Sequence, residues 1–256
     1  MATFYVGTSG WHYRHWQGVF YPPELSPRQW LAYFCRFFPT AEINATFYRL
    51  PKPETFAAWA AGTPPGFVFS VKASRLITHY RRLQDAAEAV ETFYRHLEPL
   101  IPKTAAVLYQ LPPSFRQDLG LLEAFLKQVP PRPKPAFEFR HPSWFVPETY
   151  AALAAAGAAF CITDLAGLDC PAVATGGLIY LRLHGQPRPY SGTYTDEQLE
   201  GWASELARLG ETAEVGLVYF NNDVGGHAVA DARRLMGRLA DLGLKVARPE
   251  TAAEPA

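Results

Sequence analysis

Residues 26–44 read SPRQWLAYFCRFFPTAEIN, and two patterns within them decide the fold. Bulky apolar side chains recur at helical spacing between Trp30 and Phe38, after Ser26 as a predicted N-cap, so they form one face of a helix. The stretch then passes into a short apolar run near Ala41, which predicts a strand. A helix that leads directly into a strand is part of a repeating strand–helix unit.

The same unit recurs along the chain. Eight strand-like runs begin near Phe4, Ala41, Phe67, Ala105, Ala136, Ala158, Leu178 and Val215. Parallel strands need a crossover connection, which is usually a helix. Eight units in about 250 residues favour an α/β fold of the TIM (β/α)8 barrel type over an open doubly wound sheet. The short segment of residues 165–177 predicts a sixth helix that is short or absent.

Composition limits the domain organisation and the compartment. No linker interrupts the series, so we expect one TIM-barrel domain over residues 1–249 and a frayed tail over 250–256. Lys and Arg number 24 and so do Asp and Glu, and this zero net charge argues against a broadly basic nucleic-acid surface. Three widely spaced cysteines without a CxxC pair favour a reducing cytoplasm. We expect no signal peptide and no membrane partner, and the sequence does not determine the oligomeric state.

Charged side chains follow the predicted strands at two-residue spacing, as in Glu138-Phe-Arg140 and Arg182-Leu-His184. Residues two apart share one face of a strand, so these side chains point the same way. The carboxyl ends of the strands carry the active sites of TIM barrels. We therefore predict acid/base groups at this end of the barrel, which are Glu42, Lys72, Glu138, Asp164 and His184.

Other residues at the same end are predicted to bind the substrate. They are Ser9, Trp11, Tyr13, Asn44, Gln110, Arg140, Arg182, Tyr190, Tyr194, Asn221 and Asn222. Tyr190 and Tyr194 belong to a Pro/Gly-rich loop, residues 185–194, which is a candidate lid. Asn221 and Asn222 precede the last predicted helix, a place where TIM barrels commonly bind phosphate. For any one of the charged residues, an ion-pair network at the barrel mouth is the structural alternative.

Eight ordered motifs resemble the YecE-like family, the domain of unknown function 72. They are Gly7-Thr-Ser-Gly-Trp-His-Tyr13 with Trp16-x-Gly-x-Phe-Tyr-Pro22, Glu42-x-Asn-x-Thr-Phe-Tyr48, Phe69-Ser-Val-Lys72 with Thr78-His79, Gln110-Leu-Pro-Pro-Ser-Phe115, Glu138-x-Arg-His-x-Ser-Trp144, Arg182-x-His-Gly185 and Phe220-Asn-Asn-Asp223. This resemblance covers essentially the whole chain. It implies an intracellular TIM barrel, widespread in bacteria, whose activity is not established. Kinship with the barrels of apurinic endonucleases and sugar isomerases is a fold-level analogy.

The cationic strand ends at Lys72, Arg140 and Arg182 predict a small anionic ligand that carries a phosphate or a carboxylate, sugar derivatives included. We therefore expect an enzyme of hydrolase or isomerase type that works by acid/base chemistry. A nucleic-acid-binding protein, or a nuclease like the apurinic endonucleases, is the alternative suggested by aromatic residues among arginines in the loops. A non-catalytic ligand-binding scaffold is a third hypothesis.

Two further chemistries depend on single groups. His79, His141, His184 and His227 lie near carboxylates, and zinc or manganese accepts such ligands. No HxH or HExxH spacing occurs, so we predict no metal site and no cofactor, with a divalent metal as the alternative. Lys72 would form a Schiff base with a carbonyl substrate only if its pKa were lowered by burial or by another cation.

Overall fold

The computed structural model describes residues 1–250 and contains a closed ring of eight parallel strands. The strands are β1 Thr3–Ser9, β2 Thr40–Ile43, β3 Val68–Lys72, β4 Thr104–Gln110, β5 Lys134–Glu138, β6 Ala159–Asp164, β7 Leu178–Leu183 and β8 Val215–Phe220. Each strand pairs with the next, and β1 pairs with both β8 and β2, which closes the barrel. The predicted TIM barrel is confirmed.

Helices surround the barrel. They are α1 Trp30–Phe34, α2 Ala45–Tyr48, α3 Pro53–Ala61, α4 Ala87–Leu97, α5 Leu119–Leu126, α6 Pro147–Ala155, α7 Asp196–Leu209 and α8 His227–Asp241. Within the described residues no helix lies between β6 and β7, as the sequence predicted. The first helix is shorter than its apolar pattern, because it ends at Phe34 and residues 35–37 form a turn. A 3-10 turn of residues 27–29, capped by Ser26 and Gln29, precedes it. None of the helices in residues 1–250 has both the length and the apolar character of a bilayer-spanning segment.

A ninth strand, β9 (Lys245–Val246), was not predicted, because two residues are too short to show alternation. It pairs with Thr3 and Phe4 at the start of β1, whereas β2 pairs with β1 only at Thr8 and Ser9. The short second strand therefore leaves an edge at the base of the barrel that β9 covers. The tail predicted over residues 250–256 lies, except for its first residue, outside the described residues.

The barrel interior changes from apolar to charged along its axis. Its lower part is an apolar cluster of Ala106, Leu108, Ala136, Ala159, Cys161, Leu178, Tyr180, Leu217 and Tyr219. Above this cluster, toward the carboxyl ends of the strands, Glu42, Glu138 and Arg182 form what we call the charged layer. Each of the three is at most 1% exposed. Charges buried this deeply require paired partners.

Arg182 supplies that pairing to both carboxylates. Its Nη2 donates to Glu42 Oε1 at 2.8 Å, and its Nη1 donates to Glu138 Oε2 at 2.6 Å. Tyr180 and Ser9 donate their hydroxyl protons to Glu42, each at 2.7 Å. Burial alone would raise the pKa of both carboxyls, but the arginines beside them hold both pKa values below the usual range. Glu42 and Glu138 are therefore ionised at neutral pH.

The surroundings of two glycines predict opposite effects of a Gly→Ala substitution on stability. A methyl group at Gly216 in β8 would overlap the Phe4 ring, whereas one at Gly201 in α7 would meet nothing within 4 Å. Gly216→Ala should lower the free energy of unfolding by about 1–3 kcal/mol through overpacking. Gly201→Ala should raise it by about 0.5–1 kcal/mol, because alanine is the better helix former. Urea unfolding measures both values, and equal effects of the two substitutions would contradict the packing described here.

Arg182→Met should leave two buried carboxylates without their shared counter-charge. We expect a loss of about 3–5 kcal/mol of unfolding free energy at pH 7. In the wild type the carboxyl pKa values are lowered, so the stability they provide is present above about pH 4.3, the unfolded value, and is lost as the pH falls further. In the variant these pKa values should rise, so its stability should increase between pH 7 and pH 5. Urea unfolding at several pH values checks this, and identical pH profiles would contradict it; Arg208→Met, at an exposed ion pair, is the control.

Candidate active site

A cavity of about 370 Å³, here called the mouth cavity, opens above the charged layer at the carboxyl ends of the strands. It is lined by Tyr13, Asn44, Tyr48, Lys72, Gln110, Arg140, Arg182, Tyr190, Asn221 and Asp223. Eight of these ten were predicted as site residues; Tyr48 and Asp223 are the exceptions. Three of the ten are cations and one is a carboxylate.

Lys72 ends β3 and is held by groups that bear no charge. Its Nζ donates to Gln110 Oε1 at 2.6 Å and lies 4.3 Å from the centre of the Phe47 ring. Among the described residues, no carboxylate oxygen lies within 4 Å of this nitrogen. Burial, followed by the positive charge of Arg182, lowers the pKa of Lys72 to about 8. Its amine therefore exists in both protonation states near neutral pH.

Arg140 and His184 form a second polar pair beside the charged layer. Arg140 Nε donates to Glu138, and its Nη2 donates to His184 Nε2 at 3.1 Å. His184 is fully buried, and burial lowers its pKa to about 4. The imidazole is thus neutral at pH 7 and accepts the arginine proton at Nε2, while its Nδ1 lies 3.1 Å from the amide nitrogen of Asn221. His184 therefore orients Arg140 rather than adding a charge.

Asp223 is the only acidic residue among those that line the mouth cavity. Its Oδ2 lies 3.5 Å from His15 Nε2, and burial raises its pKa above the usual value. Its backbone oxygen accepts protons from His15 and Trp16 of the first loop, both at 2.8 Å. The sequence shows Asp223 directly after Asn221 and Asn222, so its place at the end of β8 was visible although its role in the lining was not.

Several predicted catalytic residues lie outside the cavity lining. Glu42, Glu138 and His184 lie below it, together with Ser9. Asp164 faces outward, where its carboxylate accepts protons from Gln186 at 2.9 Å and from Trp202 of α7 at 3.1 Å. Strand alternation explains this direction, because Ala159 and Cys161 of β6 point inward and an even-numbered residue must point away.

The loop of residues 185–194 contributes one side chain to the mouth cavity. Other side chains hold the loop in place through hydrogen bonds. Tyr190 lines the mouth cavity, with its ring 5.4 Å from that of His184. Tyr194 is buried, and its hydroxyl accepts a proton from the Gly185 amide at 3.0 Å. Asn222 donates to Gly192 O at 2.8 Å. Tyr194 and Asn222, predicted as substrate-binding residues, are therefore placed as anchors of this loop.

A smaller cavity of about 260 Å³, here called the side cavity, adjoins the mouth cavity. It is lined by Gly10, Trp11, His12, Tyr13, Ile43, Asn44, Ala45, Tyr48 and Trp59. Tyr13, Asn44 and Tyr48 line both cavities. Trp11, a predicted substrate-binding residue, lies here rather than in the mouth.

No three His, Cys, Asp or Glu side chains within residues 1–250 come together as a set of metal ligands. His79 Nδ1 instead pairs with the Thr78 hydroxyl at 2.9 Å, and His141 Nδ1 accepts from the Ser143 amide at 3.1 Å. Each of these histidines therefore has a local hydrogen-bonding role.

Comparisons with known proteins place the chain in a family. A family model described as "Protein of unknown function DUF72" matches residues 5–255. The UPF0759 protein YunF of Bacillus subtilis (strain 168) is 26% identical over 91% of this chain and 93% of its own length. The UPF0759 protein YecE of Escherichia coli (strain K12) is 32% identical over 48% of each chain.

Solved structures of similar proteins carry the same family name. A DUF72 family protein from Thermotoga maritima is 32% identical, covers 93% of this chain and 99% of its own, and superposes with a TM-score of 0.85. A DUF72 family protein from Enterococcus faecalis, 18% identical, covers 99% of this chain and 100% of its own with a TM-score of 0.82. The names of these relatives state no activity. With a family model that spans nearly all of its length, this chain belongs to the DUF72 family.

Proposed function

We propose that this protein is an enzyme that binds a small phosphate- or carboxylate-bearing substrate in the mouth cavity and acts on it by acid/base chemistry. The observation that carries the proposal is the unpaired Lys72, which lines this cavity beside Arg140 and Arg182. An unpaired cation in a cavity of low dielectric constant attracts an anion more strongly than the same cation does in bulk water.

Charge balance supports an anionic ligand. Arg140 and Arg182 are matched by Glu42 and Glu138, so these four groups sum to zero. Lys72 then adds a positive charge that no carboxylate within 4 Å neutralises among the described residues, and the one carboxylate of the cavity lining, Asp223, lies beside His15 instead. Holding a half-buried cation without a partner costs free energy, and a bound anion would recover that cost. A phosphate or a carboxylate is the simplest ligand with this charge.

The proposed proton-transfer groups are Lys72 and Asp223. Efficient acid/base groups have pKa values near the working pH, and that of Lys72 is about 8. Burial raises the pKa of Asp223, and this also brings the pKa of this carboxyl closer to the working pH. Glu42 and Glu138, predicted as catalytic, are assigned a supporting role, because they are fully buried, bound to arginines and held in their ionised state.

Sulfate, which stays a dianion across the working pH range, tests the anion site. Calorimetry at pH 7 should detect binding, and Lys72→Met should weaken it by about tenfold or more, because a charge-assisted hydrogen bond contributes about 1.5–3 kcal/mol. In the wild type, affinity should be greatest below about pH 8 and fall as Lys72 loses its proton. Lys72→Met should remove this pH dependence.

Lys245→Met is the matched control, because this exposed lysine lies in β9 at the opposite end of the barrel. It should leave sulfate affinity within about twofold. Sulfate binding that both substitutions weaken equally, or no binding at all, would overturn the anion-binding proposal.

Lys72 also favours a second candidate function, an enzyme that forms a Schiff base with a carbonyl substrate. Its pKa is lowered by burial and by a neighbouring cation, the two conditions that make a lysine amine nucleophilic. The neutral amine would add to the carbonyl carbon and release water to form the imine. Borohydride would reduce that imine to a stable secondary amine.

Incubation with pyruvate or glycolaldehyde and borohydride should therefore add the mass of one substrate less one oxygen atom to the peptide that contains Lys72, because water is lost and two hydrogens are gained, and it should add nothing in Lys72→Met. Lys103, whose pKa is also lowered but which is bonded to Thr63 and Pro64, provides an internal comparison. Labelling spread equally over both lysines would count against this second function while leaving the acid/base proposal intact.

A further inference from the structure

We infer that the side cavity is a second subsite of the same active site and takes a planar aromatic ring of the substrate whose anionic group lies in the mouth cavity. This inference rests on the proposed function, since it assumes that an anion occupies the mouth. It narrows the substrate class to aryl or heteroaryl phosphates and carboxylates.

The two cavities share part of their walls. Tyr13, Asn44 and Tyr48 line both of them, so a ligand in one contacts side chains that also face the other. No Lys, Arg, Asp or Glu is among the residues that line the side cavity, whereas four such residues line the mouth. The two neighbouring cavities therefore form a charged part and an uncharged part, which matches a ligand with an anionic group and an apolar group.

The walls of the side cavity are predominantly aromatic. Trp11 and Trp59 meet edge to face with ring centres 5.5 Å apart, and Tyr13 and Tyr48 complete the walls toward the mouth. Aromatic side chains bind planar rings through offset-stacked and edge-to-face contacts. The volume of about 260 Å³ exceeds that of a cavity of about 150 Å³ that holds benzene, so a single or fused ring fits.

Gly10 leaves space at the edge of the side cavity, and Asn44 provides one polar group in its wall. Gly10 has φ +95°, and a Cβ there would lie 2.8 Å from the Tyr13 hydroxyl, so only glycine allows Tyr13 to lie over the cavity edge. The Tyr13 hydroxyl is held by Ser9 O at 2.5 Å. The amide oxygen of Asn44 is buried and has no hydrogen-bond partner among the described residues. An N–H or O–H group on the ring would satisfy this oxygen.

The test compares sulfate and inorganic phosphate with phenyl phosphate and 1-naphthyl phosphate, by calorimetry at pH 7. The wild type should bind the aryl phosphates at least about tenfold more tightly than inorganic phosphate, which corresponds to about 1.4 kcal/mol. Ala45→Trp should abolish this preference and keep the affinity for inorganic phosphate within about twofold, because exposed Ala45 lines the side cavity but not the mouth.

Ala57→Trp is the matched control, since it places the same large side chain on an exposed position of α3 outside both cavities, and it should keep the preference. Lys72→Met should weaken all the anions by a similar factor. If inorganic phosphate and sulfate bind but aryl phosphates bind no more tightly, or if Ala45→Trp keeps the preference, the ring subsite is overturned and the proposed function stands. If none of the anions binds, the proposed function and the ring subsite both fail.

Discussion

Arg182 holds two carboxylates together inside a barrel whose lower interior is apolar, and the upper half of the structure depends on this arrangement. Arg182 is the counter-charge that the two glutamates share, and leaving any of these three buried charges without its partners would cost free energy. The layer also determines what lies above it. Its charges sum to zero once Arg140 is included, so the charge of Lys72, which has no carboxylate within 4 Å among the described residues, is left to act on a ligand.

The fold could be predicted from the sequence because periodicity and spacing repeat eight times, and the absent sixth helix was visible in the short segment before β7. The two-residue strand β9 could not be predicted, since two residues carry no alternation. The sequence predicted which residues lie at the carboxyl ends of the strands. It did not predict how deep each side chain lies within the barrel. Glu42 and Lys72 lie at or near the ends of neighbouring strands, yet Glu42 lies below the cavity and Lys72 lines it. The strand register separates them, because Glu42 pairs with Ser70, one layer below Lys72.

Strand alternation contained more information than the polar pattern alone. Applied to β6, it places Asp164 on the helix side, where the carboxylate holds Gln186 and Trp202. Applied to β8, it separates Asn221, which lines the mouth cavity, from Asn222, which bonds to Gly192 and Asp231. The pKa values depend on burial and on neighbouring charges from other strands, which no local sequence pattern contains. For this reason the neutral state of His184 follows from the structure alone.

The loop of residues 185–194 is anchored at its end and presents one side chain to the mouth cavity from its tip. Asp231 of α8 accepts protons from Thr193, Tyr194 and Asn222, so the end of the loop is attached to that helix. Tyr190, in contrast, is 45% exposed and reaches the cavity from the tip. A change of the Tyr190 side chain would therefore alter the wall of the mouth cavity without removing the contacts that anchor the loop. The scaffold and the ligand preference can thus be varied separately, which makes this single position a natural starting point for directed diversification.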